Sequence, residues 1–441
     1  MKYETLKSIV LFLLVGLSII LTWSFWTYQP KYEPMNQKNV HDISIAVRKD
    51  VTELIKPNRI LYHADGVHYG SQEKEIIQSI LTEISTWDFY DIGIGQTLQP
   101  EKVQELQHSD NRIVIDYPDK VPFEIYKGIV QVEDPSPNAS FDQIVILSPE
   151  VSKDGSSVYF ISTENNRVYE SHINPDRLEG LFVSTKRNLD QYEVYQALEL
   201  PDQRELYIPE NKKEMTKYKF YTETTDPRKF KNALFRDPDK VERDFFPNGN
   251  GEQYTDDRSM MNVDYLTNVL KYVNPRQDSE VHVEQSQSDI LKRGIDFVNE
   301  HDGWTDDYRY TEMSVYEKKL VFRLFVHNYP VFNENGMTEV KQNWGTEEIS
   351  EYKRPYFSLA ISVSSQTKEE LPPGDTVLRH LLLDKNMNPK LLQDLVLGYR
   401  LSKDSTTESV VTLEPSWYYL YAGTWMRFDM EELGGNIDGL G

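Results

Sequence analysis

The hydrophobic pattern of the chain begins with an uncharged run near the N-terminus. Residues 8–26 read SIVLFLLVGLSIILTWSFW without a charged side chain, and nineteen residues at helical rise nearly span a bilayer core. Lys2 and Lys7 precede the run, which favours a cytoplasmic N-terminus. A cleaved secretory signal is the rival interpretation, but bulky aromatic residues stand where its small-residue cleavage site would be. We therefore predict an uncleaved transmembrane helix over residues 8–28, preceded by a cytoplasmic head of residues 1–7.

Five residues recur along one face of this predicted helix, and Ser18 and Thr22 among them form a small-xxx-small pair. Their three- and four-residue spacing forms a stripe suited to close contact with another membrane helix: Ser8, Leu11, Val15, Ser18 and Thr22. Such residues are also common in inert anchors, so a helix that only holds the protein in the membrane remains an alternative. Aromatic residues are predicted to lie at the outer membrane interface: Trp23, Phe25, Trp26 and Tyr28.

After a proline-containing stalk at residues 29–40, the periodicity alternates between strands and helices. Runs such as RIVIDYP at 112–118 predict strands. A helix is predicted over residues 71–87, because four isoleucines fall on one of its faces: Ile76, Ile77, Ile80 and Ile84. This mixture predicts a first α+β domain over residues 41–210.

Two further domains are predicted after the polar stretch NKKEMTK. We expect a middle α+β domain at 211–285, a C-terminal α+β domain at 286–433 and a disordered glycine-rich tail at 434–441. The predicted fold class is therefore α+β: a single N-terminal transmembrane helix followed by a three-domain mixed α/β ectodomain with antiparallel sheets.

The sequence predicts where two helices of the C-terminal domain lie. One is predicted to begin near Ser286, with Asp289 completing a variant of the capping box. Its core face comprises Ile290, Leu291, Ile295 and Val298. A second helical region is predicted over residues 376–395, interrupted before Pro389.

Composition limits the classes of partner. The 441-residue chain carries a formal charge of −23, so nucleic acid, an anionic lipid face and anionic wall polymers should all be repelled by its surface as a whole. It contains no cysteine, which excludes disulfides, zinc–thiolate sites and thiol nucleophiles. This composition suits the outer surface of a Gram-positive cell.

Candidate catalytic and metal-binding motifs are few, and each fails a test of spacing. His63, Asp65 and His68 form the best metal-like cluster, but His68 would face away from the other two unless Gly66 turns the chain. Ser365 opens an S-x-x-K match without the helix or the K-T-G that penicillin-binding enzymes have. We therefore predict that the protein is not an enzyme, with no catalytic residue, metal or cofactor.

An ordered set of segments resembles the YycH family of low-GC Gram-positive bacteria. The set comprises KSIVLFLLVGLSIILTWSFWTYQPKYEP, PNRILYHADGVHYG, LTEISTWDFYDI, YTDDRSMMNVDYLTNVLKYVNP, LPPGDTVLRHLLLDKNMNP, DLVLGYRL and LEPSWYYLYAGTW. It covers nearly the whole chain, although no segment is a catalytic motif.

The resemblance implies a regulator rather than an enzyme. Family members have one N-terminal membrane helix and a three-domain α+β ectodomain, and they act with the partner protein YycI on the sensor histidine kinase WalK, also called YycG. That kinase belongs to an essential two-component system that controls cell-wall metabolism. The family's membrane helix is held to act on the kinase's own helices, which assigns this role to the small-residue stripe as a hypothesis. The expected location is the cell membrane, with the ectodomain outside.

Two other classes of function remain as alternatives. An extracytoplasmic wall hydrolase is compatible with the 71 Asp and Glu residues, and it predicts convergent carboxylates or histidines with perturbed pKa values in a cleft. A passive surface scaffold predicts that kinase output does not change when the protein is deleted.

Overall fold

Strands dominate the part of the chain that the structure describes. The structure is a computed structural model. It describes residues 16, 18 and 47–429, except for 153, 201–203, 278–285, 302, 364–366 and 405–406. The chain separates into two units, Met1–Ile43 and Ser44–Gly441. Gly16 and Ser18 are the described residues of the first unit, and both are helical. The strands and helices named below belong to the second unit.

The N-terminal half of the second unit is built on one antiparallel sheet. Its strands are β1 (Arg59–Ala64), β2 (Val67–Ser71), β3 (Asp88–Phe89), β4 (Gln96–Thr97), β5 (Arg112–Pro122), β6 (Gln131–Val132), β7 (Ser140–Leu147), β8 (Ser157–Ser162), β9 (Arg167–His172), β10 (Glu193–Glu199) and β11 (Glu205–Pro209). Nine of these described strands form the sheet, in the order β11-β10-β2-β1-β5-β7-β8-β9-β4, whereas β3 pairs in parallel with β6.

Helices cover both faces of this first sheet. They are α1 (Val51–Leu54), α2 (Lys74–Ile84), α3 (Pro100–His108), α4 (Phe123–Tyr126) and α5 (Pro175–Arg187). The helix predicted over residues 71–87 is confirmed as α2, and its four isoleucines are buried as expected. In β1, Ile60 and Tyr62 join the main core while Leu61 joins a smaller core on the opposite face. Burial on both faces explains why the strand reads as a nearly continuous apolar run.

The rest of the chain forms a second, larger sheet. Its strands are β12 (Lys213–Thr224), β13 (Glu242–Phe245), β14 (Gly251–Thr255), β15 (Met260–Asp264), β16 (Val269–Val273), β17 (Tyr308–Ser314), β18 (Lys319–Val326), β19 (Tyr329–Phe332), β20 (Glu339–Trp344), β21 (Ile349–Pro355), β22 (Phe357–Ser362), β23 (Thr367–Leu371), β24 (Leu392–Lys403), β25 (Val410–Tyr421) and β26 (Thr424–Arg427). The sheet runs β13-β14-β15-β16-β21-β20-β18-β19-β24-β25-β12-β22, with β17, β23 and β26 paired to β18, β12 and β25. Strands β19 and β24 are parallel.

Three α-helices accompany this sheet among the described residues: α6 (Pro227–Leu234), α7 (Gln287–Glu300) and α8 (Gly374–Leu383). The predicted start of α7 is confirmed, because the side chain of Ser286 accepts a hydrogen bond from the backbone N–H of Asp289 at 3.1 Å. The predicted core face of α7 is buried as well.

The helical region predicted over residues 376–395 is wrong in its second half. Helix α8 ends at Leu383, a 3₁₀ turn covers Pro389–Leu391, and β24 begins at Leu392. Asn388 caps the turn by accepting a hydrogen bond from the backbone N–H of Lys390. The apolar run after Leu392 is compatible with a buried helix and with a buried strand. It forms a strand because it pairs with β25.

Hydrogen bonds and ion pairs join the two sheets. Arg59 on β1 contacts Asp116 at 2.7 Å and reaches Asp394 on β24 at 3.4 Å. The hydroxyl of Tyr310 on β17 donates to the carbonyl of Lys120 at 2.8 Å. Strands from either side of residue 285 share the second sheet, and the division into three domains stays a prediction.

Candidate functional site

The predicted membrane-helix stripe falls almost wholly outside the described residues. Ser8, Leu11, Val15 and Thr22 lie there, as do all four predicted interfacial anchors: Trp23, Phe25, Trp26 and Tyr28. Ser18 is described and is an exposed helical residue. Among the described residues, none of the helices has both the length and the apolar character to cross a membrane.

The best metal-like motif forms a packed cluster of aromatic rings. Asp65 and Gly66 adopt positive φ angles of 54° and 72° and turn the chain between β1 and β2. His63 therefore pairs directly with His68, and their Nδ1 atoms are 2.6 Å apart. His108 of α3 joins them, and the ring of Tyr207 lies about 5 Å from all three imidazoles.

Burial keeps these histidines neutral. It lowers the pKa of His63 to about 2 and that of His108 to about 4, and it also lowers the pKa of His68. The Tyr207 hydroxyl donates to Glu205 at 2.7 Å, and no group of His, Asp and Glu within the described residues has the geometry of a metal site. The cluster therefore packs one face of the first sheet. Ser365, the other candidate, lies outside the described residues.

The described part of the second unit begins with a short segment that is fixed to residues of the C-terminal half of the chain. Val47 forms a backbone bridge with Trp304, whose N–H donates to the Val47 carbonyl at 3.1 Å. The side chain of Asn299, near the end of α7, accepts from the N–H of Lys49 and donates to its carbonyl, both at 3.0 Å. We call residues 47–50 together with Asn299 and Trp304 the joint.

Side-chain contacts strengthen the joint. The indole N–H of Trp304 donates to Asn299 at 2.9 Å, and the ammonium of Lys49 donates to the carbonyl of Asp306 at 2.5 Å. Burial lowers the pKa of Lys49, although Asp307 and other nearby carboxylates oppose the shift. Residues 47–50 are thus held to α7 and to the loop that follows it by backbone and side-chain hydrogen bonds.

A chain of buried polar contacts extends from beside the joint to the first sheet. Arg309 is almost fully buried and forms an ion pair with Asp307 at 2.6 Å. Burial alone would raise the pKa of Asp307, but Arg309 and the nearby Lys56 outweigh it and lower that pKa. Arg309 also donates to Asn328, whose side chain donates to the carbonyl of Gln72. Hydrogen bonds therefore link the second sheet to the first, starting at Asp307, which directly follows the residue whose carbonyl Lys49 contacts.

A large cavity lies on the second sheet. It measures about 950 Å³, and its wall includes Arg323, Phe332, Arg400 and Trp425. A smaller cavity of about 300 Å³ shares Arg323, Phe332 and Trp425 with it and reaches Asn328 and residues of the first sheet. No sequence motif marked either cavity, because the lining residues come from strands far apart in the chain.

Comparison with known proteins identifies the family. The YycH N-terminal domain model matches residues 4–189, and the YycH C-terminal domain model matches residues 203–433. The chain belongs to the YycH family. The resemblance of the sequence to YycH proteins is thereby confirmed.

Individual relatives agree with that assignment. This YycH-family chain is 24% identical over 435 residues to a Bacillus subtilis (strain 168) protein described as "Two-component system WalR/WalK regulatory protein YycH", covering 95% of this chain and 94% of the relative. The crystal structure of YycH from Bacillus subtilis superposes with a TM-score of 0.72 at 20% identity, covering 87% of this chain and 98% of the other. The mixed α/β fold with mostly antiparallel sheets is therefore shared.

Proposed function

We propose that this protein is a non-enzymatic, membrane-anchored regulator of a WalK-type sensor histidine kinase in a two-component system that controls cell-wall metabolism. The observation that carries the proposal is the family match over residues 4–189 and 203–433, together with a full-length relative described as a WalR/WalK regulatory protein. The proposed partners are the kinase, a YycI-like protein and the membrane. The proposed arrangement has a single span, a cytoplasmic N-terminus and the ectodomain outside.

The proposed mechanism uses contacts between membrane helices. A sensor kinase has at least two arrangements of its membrane helices, and a bound helix shifts their populations only by its difference in affinity for them. Coupling energies of about 1–3 kcal/mol are usual between linked sites. A few contacts along Ser8, Leu11, Val15, Ser18 and Thr22 are enough to supply them. The joint is compatible with this route, because it fixes residues 47–50 to α7 and Trp304 within the second unit.

Leucine at Ser18 and Thr22 is expected to change the output of the kinase at least about twofold, because added bulk prevents the close approach of a second helix. The measurement is a transcriptional reporter of the kinase's regulon, with protein level followed by immunoblot. The matched control adds bulk to the opposite helical face through Leu13→Phe and Ile20→Phe. An unchanged reporter in the Ser18/Thr22 variant would argue against this face, and an unchanged reporter after gene deletion would favour a passive scaffold.

Alanine at Asn299 is expected to weaken regulation while the protein still accumulates. The change removes two hydrogen bonds to the backbone of Lys49 and one from the indole of Trp304, at a cost of about 1–3 kcal/mol in the stability of the joint. The same reporter measures the effect. Asn386→Ala, at an exposed turn after α8, is the control. Equal reporter activity in the two variants would contradict transmission through the joint.

A further inference from the structure

The large cavity on the second sheet reverses the charge balance of the protein. The whole chain has 71 acidic and 48 basic residues, yet six cationic and four anionic side chains line this cavity. Three ion pairs account for most of the carboxylates: Lys319 with Glu312 at 2.5 Å, Arg323 with Glu339 at 2.6 Å and Arg427 with Asp429 at 2.5 Å. The acidic side chain left over, Glu334, is exposed.

Three cations of the wall make no ion pair with a carboxylate within the described residues. Two of them, Arg400 on β24 and Lys341 on β20, are half-buried. The third, Lys403, donates to the carbonyl of Tyr265 at 3.5 Å and lies 3.2 Å from the side-chain oxygen of Asn268 in the amide orientation that satisfies both atoms. Partly buried cations are costly to leave without a counter-charge, so this arrangement is suited to an incoming anion.

Aromatic rings form the adjacent part of the wall. Phe332 stacks on Tyr418 with ring centroids 3.9 Å apart and an interplanar angle of 19°, and Trp425 lies 5.4 Å from Phe332. The guanidinium of Arg323 covers the other side of Phe332 at 4.4 Å. Phe332 and Tyr418 are buried, whereas Trp425 is half-buried and borders the cavity. Trp425 therefore lines the cavity with an aromatic ring beside the stacked pair of Phe332 and Tyr418.

Neutral hydrogen-bonding groups complete the lining. Ser402 follows Arg400 on β24, Thr424 precedes Trp425 on β26, and Asn335 lies at the exposed end. The volume of about 950 Å³ suits a ligand of sugar-phosphate to drug size. The cavity therefore combines three kinds of binding group. Cations bind an acidic group, an aromatic ring stacks on a sugar ring, and hydroxyl groups form hydrogen bonds with the hydroxyls of a sugar.

We propose that this cavity binds a phosphorylated saccharide, with the phosphate at Arg400 and Lys341 and the sugar ring against Trp425. The negative surface of the protein disfavours non-specific adhesion of anions, whereas a cationic cavity selects a small anion that enters it. The proposal does not depend on the proposed kinase partner. The smaller cavity that shares Trp425 also reaches Asn328, so the ligand site adjoins the hydrogen bonds that link the two sheets.

The test measures binding to full-length protein in a neutral detergent by isothermal titration calorimetry. The probe is N-acetylglucosamine 1-phosphate, with N-acetylglucosamine, inorganic phosphate and pentaglutamate as comparison ligands. We expect saturable binding of the probe that weakens as salt is raised. We expect much weaker binding of the neutral sugar, of inorganic phosphate and of the peptide.

Variants separate the roles of the charges and the ring. Arg400→Gln and Lys341→Gln are each expected to weaken binding of the probe about tenfold or more, whereas Arg400→Lys retains part of it. Trp425→Ala is expected to weaken binding of the probe without affecting that of inorganic phosphate. Arg177→Gln, at an exposed arginine of α5 outside the cavity, is the matched control and should bind as the unmodified protein does.

Three results would overturn the proposal. The first is the absence of saturable binding by the unmodified protein up to about 10 mM probe, the upper end of weak binding. The second is equal affinity of Arg400→Gln, Lys341→Gln and Arg177→Gln, each shown to be folded by its thermal unfolding curve. The third is binding of inorganic phosphate or pentaglutamate as tight as that of the sugar phosphate. If Arg400→Gln does not fold, Lys341→Gln decides the second result.

Discussion

Replacing Trp304 with alanine is expected to lower the free energy of unfolding by about 3–5 kcal/mol, the usual cost of deleting a buried indole. Trp304 is 2% exposed, and its ring packs at 4.8 Å from that of Phe322 on β18. Its indole also donates to Asn299 and its backbone pairs with Val47, so the cavity left by alanine opens inside the joint. Urea denaturation of the purified protein, followed by circular dichroism, measures the change.

Trp304→Phe is the informative control for this prediction. Phenylalanine keeps most of the packing against Phe322 but removes the hydrogen bond to Asn299, so a smaller loss of about 1–3 kcal/mol is expected. A matched aromatic deletion at an exposed site is Tyr316→Ala, where the side chain is 83% exposed. If Trp304→Ala unfolded at the same urea concentration as Tyr316→Ala, the joint would contribute nothing to the stability of the protein.

Acidification from pH 7 to pH 4 is expected to destabilise the protein through the histidine cluster, with about 3 kcal/mol coming from His63. Burial lowers the pKa of folded His63 to about 2, against about 6.5 in the unfolded chain. The neutral, buried His63 costs no stability above pH 6.5. Below that pH the free energy of unfolding decreases, because the His63 side chain takes up a proton in the unfolded chain but not in the folded protein. His108, with a folded pKa of about 4, acts in the same direction down to that pH.

The His63→Leu variant isolates this effect. Leucine fills a similar volume and does not titrate, so the stability of the variant should fall less between pH 7 and pH 4. Comparing the variant with the unmodified protein cancels the contributions of other titrating groups. One of these is Asp142: burial raises its pKa to about 6, so it stabilises the fold as the pH falls. Glu205 and Arg112, which face the cluster, also remain unchanged. Parallel stability–pH curves for the two proteins would contradict a neutral, buried His63.

Features that depend on neighbouring residues could be predicted from the sequence. The isoleucine face of α2 and the Ser286 cap of α7 depend on residues within a few positions of each other, and both are confirmed. The error after Leu383 has a physical cause as well. Strand β24 is buried along most of its length, so its apolar run lacks the alternation that distinguishes a strand from a helix.

The joint and the cavity could not be predicted because their residues meet only through the tertiary fold. Lys49 and Asn299 are 250 positions apart. The parallel pairing of β19 with β24 brings Phe332 beside Arg400, and no local pattern predicts that register. The histidine cluster could be predicted in part. The turn at Gly66, which pairs His63 with His68, is local, whereas nothing in the sequence indicates that His108 of α3 packs against them.

The position of β12 has a consequence for biosynthesis. This strand, Lys213–Thr224, contacts β22, β23 and β25, whose residues extend to Tyr421. A ribosome releases the chain from its N-terminus, so β12 is synthesised before all three of its neighbours, and the last of them, β25, is complete only at Tyr421. Closing such long loops is slow, and unpaired strand edges associate with other chains meanwhile. A nonsense mutation shortly before β25 would therefore leave an incomplete sheet for chaperones and proteases to remove, not a trimmed but working protein.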